Sequence, residues 1–136
     1  MKRFICIGLL LLGIEVQSQS VQSPSKEITI NFSLSEKVKP IYNVFYKNKP
    51  VVLQSNSGIK LKADGDLNTN FSIDSIGQKK VNETWQPVLG EQSYIKNNYN
   101  QMIVALSQSV SNKKIDIIFR VFNEGISFCW RNNYFI

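Results

Sequence analysis

The chain has 136 residues, 43% of them hydrophobic, which is enough for one domain with a real core and not for two. It carries sixteen Lys and Arg against ten Asp and Glu, a net charge of +6 at pH 7, and no histidine. The missing histidine excludes a Ser/His or Cys/His triad and every His-ligated metal site, while the dispersed, lysine-dominated surplus offers no basic groove for a nucleic acid.

Residues 1–20 read as a secretory signal peptide. Lys2-Arg3 make a basic start, Phe4 to Ile14 an apolar run, and the small residues around Ser18 to Ser20 a cleavage region. The run is shorter than the roughly twenty apolar residues that span a bilayer as a helix. An exported product, periplasmic in a bacterium, is therefore expected, with no membrane attachment after cleavage. Cys6 leaves with the signal, so Cys129 is the single thiol of the mature chain and no internal disulfide can form. On a strand, Cys129 is expected to be a small buried apolar residue.

Val21 to Lys26 is a polar, Pro-containing leader expected to be flexible. In Glu27 to Leu34, Ile28, Ile30, Phe32 and Leu34 alternate with polar residues, the period-two pattern of a half-buried strand. Ile41 to Tyr46 and Pro50 to Gln54 flank the polar turn Lys47-Asn48-Lys49 and form a hairpin, with Pro50 at a first strand position where a missing donor is tolerated. Ile59 to Leu61 is a short strand before Ala63-Asp64-Gly65-Asp66, a solvated turn that lacks the further acidic ligands of a calcium loop. Phe71, Ile73 and Ile76 continue the strand pattern, and Val81 to Asn100 is predicted to be a long irregular connection. Gln101 to Leu106 returns to extended structure.

Ile115 to Trp130 gives the clearest fold signal: two runs of β-branched and aromatic residues hinged at Asn123-Glu124-Gly125, a hairpin. Ile115, Ile117, Phe119 and Val121 make one face wholly apolar. The other face carries Asp116 and Arg120 beside Ile118 and Phe122, so this strand belongs in the middle of a sheet. In the second run Ile126, Phe128 and Trp130 share a face. About eight strands and no helix of substance predict an all-β, antiparallel β-sandwich.

The chemistry is sparse. No phosphate loop or dinucleotide fingerprint is present. A glycosidase needs two carboxyl groups flanking one bond, about 5–10 Å apart, and Glu83, Glu91 and Glu124 show no such pairing in sequence. No catalytic or metal-binding residue and no cofactor is assigned to this chain. The ligand-contacting side chains gather in the irregular stretch, where Trp85, Tyr94 and Tyr99 can stack on sugar rings. Asn97, Asn98 and Asn100 can hydrogen-bond hydroxyls, and Glu91 is a further contact candidate. The alternative is that the aromatics seal the end of the sandwich and the asparagines cap turns.

The ordered segments Y-N-V-F-Y-K-N-K-P-V-V-L, S-G-I-K-L, W-Q-P-V-L-G-E, N-N-Y-N-Q-M and I-I-F-R-V-F-N-E-G-I-S-F resemble the amino-terminal domain of glycoside hydrolase family 97 from about Ile28 to Phe128. The resemblance implies a galactose-mutarotase-like supersandwich packed on a catalytic (β/α)₈ barrel. It also implies exo-acting hydrolysis of α-glucosides or α-galactosides, calcium in the full-length enzyme, and an oligosaccharide partner. The family's catalytic carboxylates lie on the barrel, which this sequence lacks, so none transfers to a residue here. Residues 21–136 are then a partial amino-terminal domain, an incomplete sandwich that is inactive alone. Arg120 is expected to be structural. The runner-up is a stand-alone exported carbohydrate-binding module.

Overall fold

The computed structural model describes residues 18–59, 67–89, 91, 93–109 and 111–132. Within them the chain forms eight strands: β1 (Gln19–Gln22), β2 (Ile28–Leu34), β3 (Pro40–Tyr46), β4 (Lys49–Asn56), β5 (Phe71–Trp85), β6 (Ile95–Gln108), β7 (Lys113–Phe122) and β8 (Ile126–Asn132). They make two four-stranded antiparallel sheets, ordered β1-β2-β3-β4 and β5-β6-β7-β8. Each strand is joined in sequence to its neighbour in the sheet, so both sheets are simple meanders. The expected antiparallel β-sandwich is what forms.

The turns explain the registers. Lys47 and Asn48 both hold positive φ, 48° and 64°, between the paired Tyr46 and Lys49, which is the two-residue primed turn that matches strand twist. The Lys47 N–H donates to the Glu27 carbonyl at 2.7 Å, and its ammonium lies 3.2 Å from the Glu27 carboxylate. That hydrogen bond to Glu27 holds the exposed Lys47 ammonium above its ordinary range. At the β7–β8 turn the Phe122 N–H donates to the Gly125 carbonyl at 2.8 Å. The Asn123 side chain then accepts from the Ser25 N–H at 2.8 Å, tying this turn to the one between β1 and β2.

Strict alternation sends one face of each sheet inward. Ile28, Ile30 and Phe32 of β2 meet Ile115, Ile117, Phe119 and Val121 of β7, with Met102, Val104 and Leu106 of β6 completing the layer. The Phe32 and Phe119 rings sit 5.9 Å apart at 52°, a tilted aromatic pair. Tyr42 and Phe128 bracket Phe119 from β3 and β8. The sheets are offset: β1 lies against β6, β2 against β7, and Tyr42 of β3 against Phe128 of β8. Strands β4 and β5 therefore overhang at opposite edges.

β7 is buried on both faces as its composition requires. Ile118 and Asp116 on its outward side are nearly as enclosed as its inward residues. Asp116 accepts from Nη2 of its register partner Arg131 at 2.7 Å, so the buried carboxylate is charge-compensated. Arg120 donates to Gln101 Oε1 at 3.0 Å and lies over the Tyr99 ring, a structural placement.

Four expectations are corrected. Val21 and Gln22 are not a flexible leader: they belong to β1, where the apolar Val21 reaches the core and pairs with Ile30. Val81 to Asn100 is not one irregular connection, because β5 runs unbroken to Trp85 and β6 resumes at Ile95. Pro50 is the second residue of β4, tolerated because β4 is an edge strand. Cys129 is exposed rather than buried, since it lies on the outward side of the edge strand β8. Ile59 forms an isolated bridge with Leu67, and the turn expected at Ala63 to Asp66 falls outside the described residues, as does most of the expected signal peptide.

The buried Phe119 packs against three other rings, those of Phe32, Tyr42 and Phe128. Its replacement by Ala is expected to cost about 3–5 kcal/mol, a large share of a small domain's usual 5–15 kcal/mol. Urea denaturation followed by fluorescence checks this. A loss below about 1 kcal/mol would show that the two sheets do not depend on this contact.

Candidate functional site: the β5–β6 arm

β7 reaches only as far as Tyr99 along β6, through the pair Tyr99–Phe122. Beyond it β5 and β6 continue alone, from Asn82–Asn98 to Trp85–Ile95, as a two-stranded arm. An isolated ribbon of two strands is marginal in water, so its two faces deserve separate accounting.

The inward side changes character along its length. In the core it carries Ile76 opposite Val104, then Gln78 opposite Met102, and then Lys80, Asn82 and Thr84 opposite Asn100, Asn98 and Lys96. The apolar pattern stops where the facing sheet stops. The outward side carries Val81 opposite Tyr99 and Trp85 opposite Ile95, with Glu83 between them accepting from Asn97 Nδ2 at 2.7 Å. At the tip, Trp85 is 50% exposed, Val88 97%, Leu89 90% and Tyr94 68%. This is the largest collection of uncovered apolar side chains among the described residues.

The sequence-derived contact candidates divide accordingly. Trp85, Glu91 and Tyr94 are all exposed, at the end of β5 and in the connection to β6. Asn98 lies further in, on the inward side. Tyr99 is only 7% exposed, with its ring 5.0 Å from Phe122 and the Arg120 guanidinium over it, so its faces are occupied by the fold. Asn100 Nδ2 donates to the Gln22 carbonyl at 2.7 Å, and Gln78 Nε2 to the Ser20 carbonyl at 2.9 Å. These two amides fasten the outer edge of β1, and sequence reasoning missed Gln78 altogether. Val88 and Leu89 were missed as well, although two adjacent apolar residues in a Pro- and Gly-containing connection are a readable signal.

Among the described residues, Glu27 pairs with Lys47, Glu83 accepts from Asn97, Asp74 from Ser107 and Asp116 from Arg131. Among the described residues no group of three or more His, Cys, Asp or Glu is placed to hold a metal ion.

The model of the family described as "Glycosyl-hydrolase 97 N-terminal" matches residues 21–135, and the chain belongs to that family. Among solved structures, a glycoside hydrolase family 97 enzyme from Pseudoalteromonas sp. strain K8 in complex with panose is similar, with a TM-score of 0.77 and 26% identity over 84% of this chain. The same enzyme in complex with acarbose matches equally. A beta-arabinopyranosidase shares the fold, with a TM-score of 0.73 at 22% identity. The match occupies 17% of the Pseudoalteromonas chain and 18% of the arabinopyranosidase, so this chain spans under a fifth of their length.

Two substitutions separate fold from arm. Tyr99→Ala is expected to lower stability by about 3 kcal/mol, as for a buried aromatic. Trp85→Ala should change it by less than about 0.5 kcal/mol. Paired urea titrations measure both, and equal losses would place Trp85 in the fold's own packing.

Proposed function

We propose that this chain is the non-catalytic amino-terminal domain of an exported α-glycosidase, acting in the parent enzyme on α-glucosides or α-galactosides. It packs on the catalytic (β/α)₈ barrel through the β5–β6 arm and shapes the rim of the active site. The observation that carries this reading is the exposed apolar tip of Trp85, Val88, Leu89 and Tyr94. Four such side chains on a two-stranded ribbon are a docking surface rather than a solvent face. Membership of the family and the greater length of the similar enzymes supply what would cover it.

The second exposed region supports the incomplete sandwich. Ile28, Val44, Tyr46, Val51, Val52 and Ile126 line an apolar groove of about 480 Å³ under the overhanging β4, beside the open edge of β8. A further strand of the parent, added to β8, would fill it. Export rests on the basic and apolar start of the sequence, and cleavage before Gln19 would leave β1 whole. Calcium and the catalytic carboxylates belong to the barrel in this reading, and the α-glycoside substrate meets this domain where Trp85 and Tyr94 reach the rim.

Mixing the chain with the separately produced catalytic region of a family 97 enzyme tests the proposal. Association is expected to protect Trp85 from acrylamide quenching, and Leu89→Asp is expected to weaken association at least tenfold. The chain alone should not hydrolyse p-nitrophenyl α-glucoside or α-galactoside. Turnover by the chain alone, or a folded chain that never associates, would contradict it. Quenching of the free chain by millimolar maltose, lost in Trp85→Ala, would favour the stand-alone binding module.

A further inference from the structure

The inward side of the arm and the edge of β1 enclose a groove of about 610 Å³, within the range of ligand clefts, about 300–1,000 Å³. Lys26 and Lys80 line it together with Asn82, Asn98 and Gln22 and with the apolar Val21 and Pro24, and neither a carboxylate nor an aromatic ring is among its lining residues. Neither ammonium group takes part in the ion pairs seen among the described residues, Lys47–Glu27 and Arg131–Asp116. The walls are held in place independently of any ligand. Gln78 and Asn100 donate to consecutive outward carbonyls of β1, and Lys26 is set by a turn in which its N–H donates to the Ser23 carbonyl at 2.9 Å.

A groove with cations and amides but no stacking surface suits a hydroxyl-rich anion better than a neutral sugar, whose apolar face needs an aromatic ring. We propose that this groove binds a short acidic oligosaccharide, its carboxylates held by Lys26 and Lys80 and its hydroxyls by Asn82 and Asn98. The site is separate from the docking surface of the arm, which uses the tip and the outward side, so either can fail without the other. The contacts are solvent-facing, so binding should weaken as salt is raised.

The test is a titration of the full chain with trigalacturonate, followed by amide resonances. Maltotriose and sodium phosphate at matched ionic strength serve as comparisons. Trigalacturonate is expected to shift the side-chain amides of Asn82 and Asn98 and to bind at least tenfold more tightly than either comparison ligand. Lys26→Gln and Lys80→Gln should each reduce its affinity about tenfold, while Lys37→Gln, in the distant β2–β3 turn, leaves it unchanged. All three lysines are exposed and should leave the spectrum of the unbound fold intact. No binding by trigalacturonate, shifts confined to other residues, equal binding of maltotriose or phosphate, or equal loss in Lys37→Gln would each overturn the proposal.

Discussion

The layer in which β2 faces β7 holds this molecule together. Ile30 and Phe32 on one side, Ile117 and Phe119 on the other, are sealed from water, and both strands are flanked within their own sheets. Burial of each such side chain contributes about 1.5–3 kcal/mol, with no disulfide among the described residues to assist. Everything further out is less constrained: β1 is held by side-chain amides, β4 bulges against β3, and β8 is an edge.

The offset of the sheets turns that core into a functional shape. Because β1 faces β6, strand β5 projects past the other sheet, and because β6 outruns β7 the two continue as an arm. The arm inherits two sides from strand alternation, one polar and facing the β1 edge, one apolar and facing away. A single geometric fact thus produces both the basic groove and the exposed tip. The same offset leaves β4 without an opposing strand and opens the apolar groove beside β8.

Much of this was legible in the sequence. The alternation of Ile28 to Leu34 and the doubly apolar Ile115 to Phe122 identify the two central strands, because core strands must satisfy the period-two rule. Edge strands need not. Lys79, Lys80, Asn82 and Glu83 conceal the length of β5, since a ribbon with one neighbour places no apolar demand on most of its residues. Val21 looked like part of a leader because a four-residue edge strand shows its core contact through one side chain. Within the candidate site, composition located the right stretch but not its division. That Tyr99 and Asn100 serve the fold while Trp85 and Tyr94 stay free follows from register, which composition does not encode.

The central claim is that the core stands by itself while the arm is made to be covered. Hydrogen–deuterium exchange on the chain alone, and on the same chain joined to a family 97 catalytic region, tests it most directly. The account predicts that β7 amides exchange slowest in both, and that amides of the arm, from Asn82 to Asn98, become protected only in the joined form. Arm amides already as slow as those of β7 in the chain alone, or unchanged on joining, would contradict it.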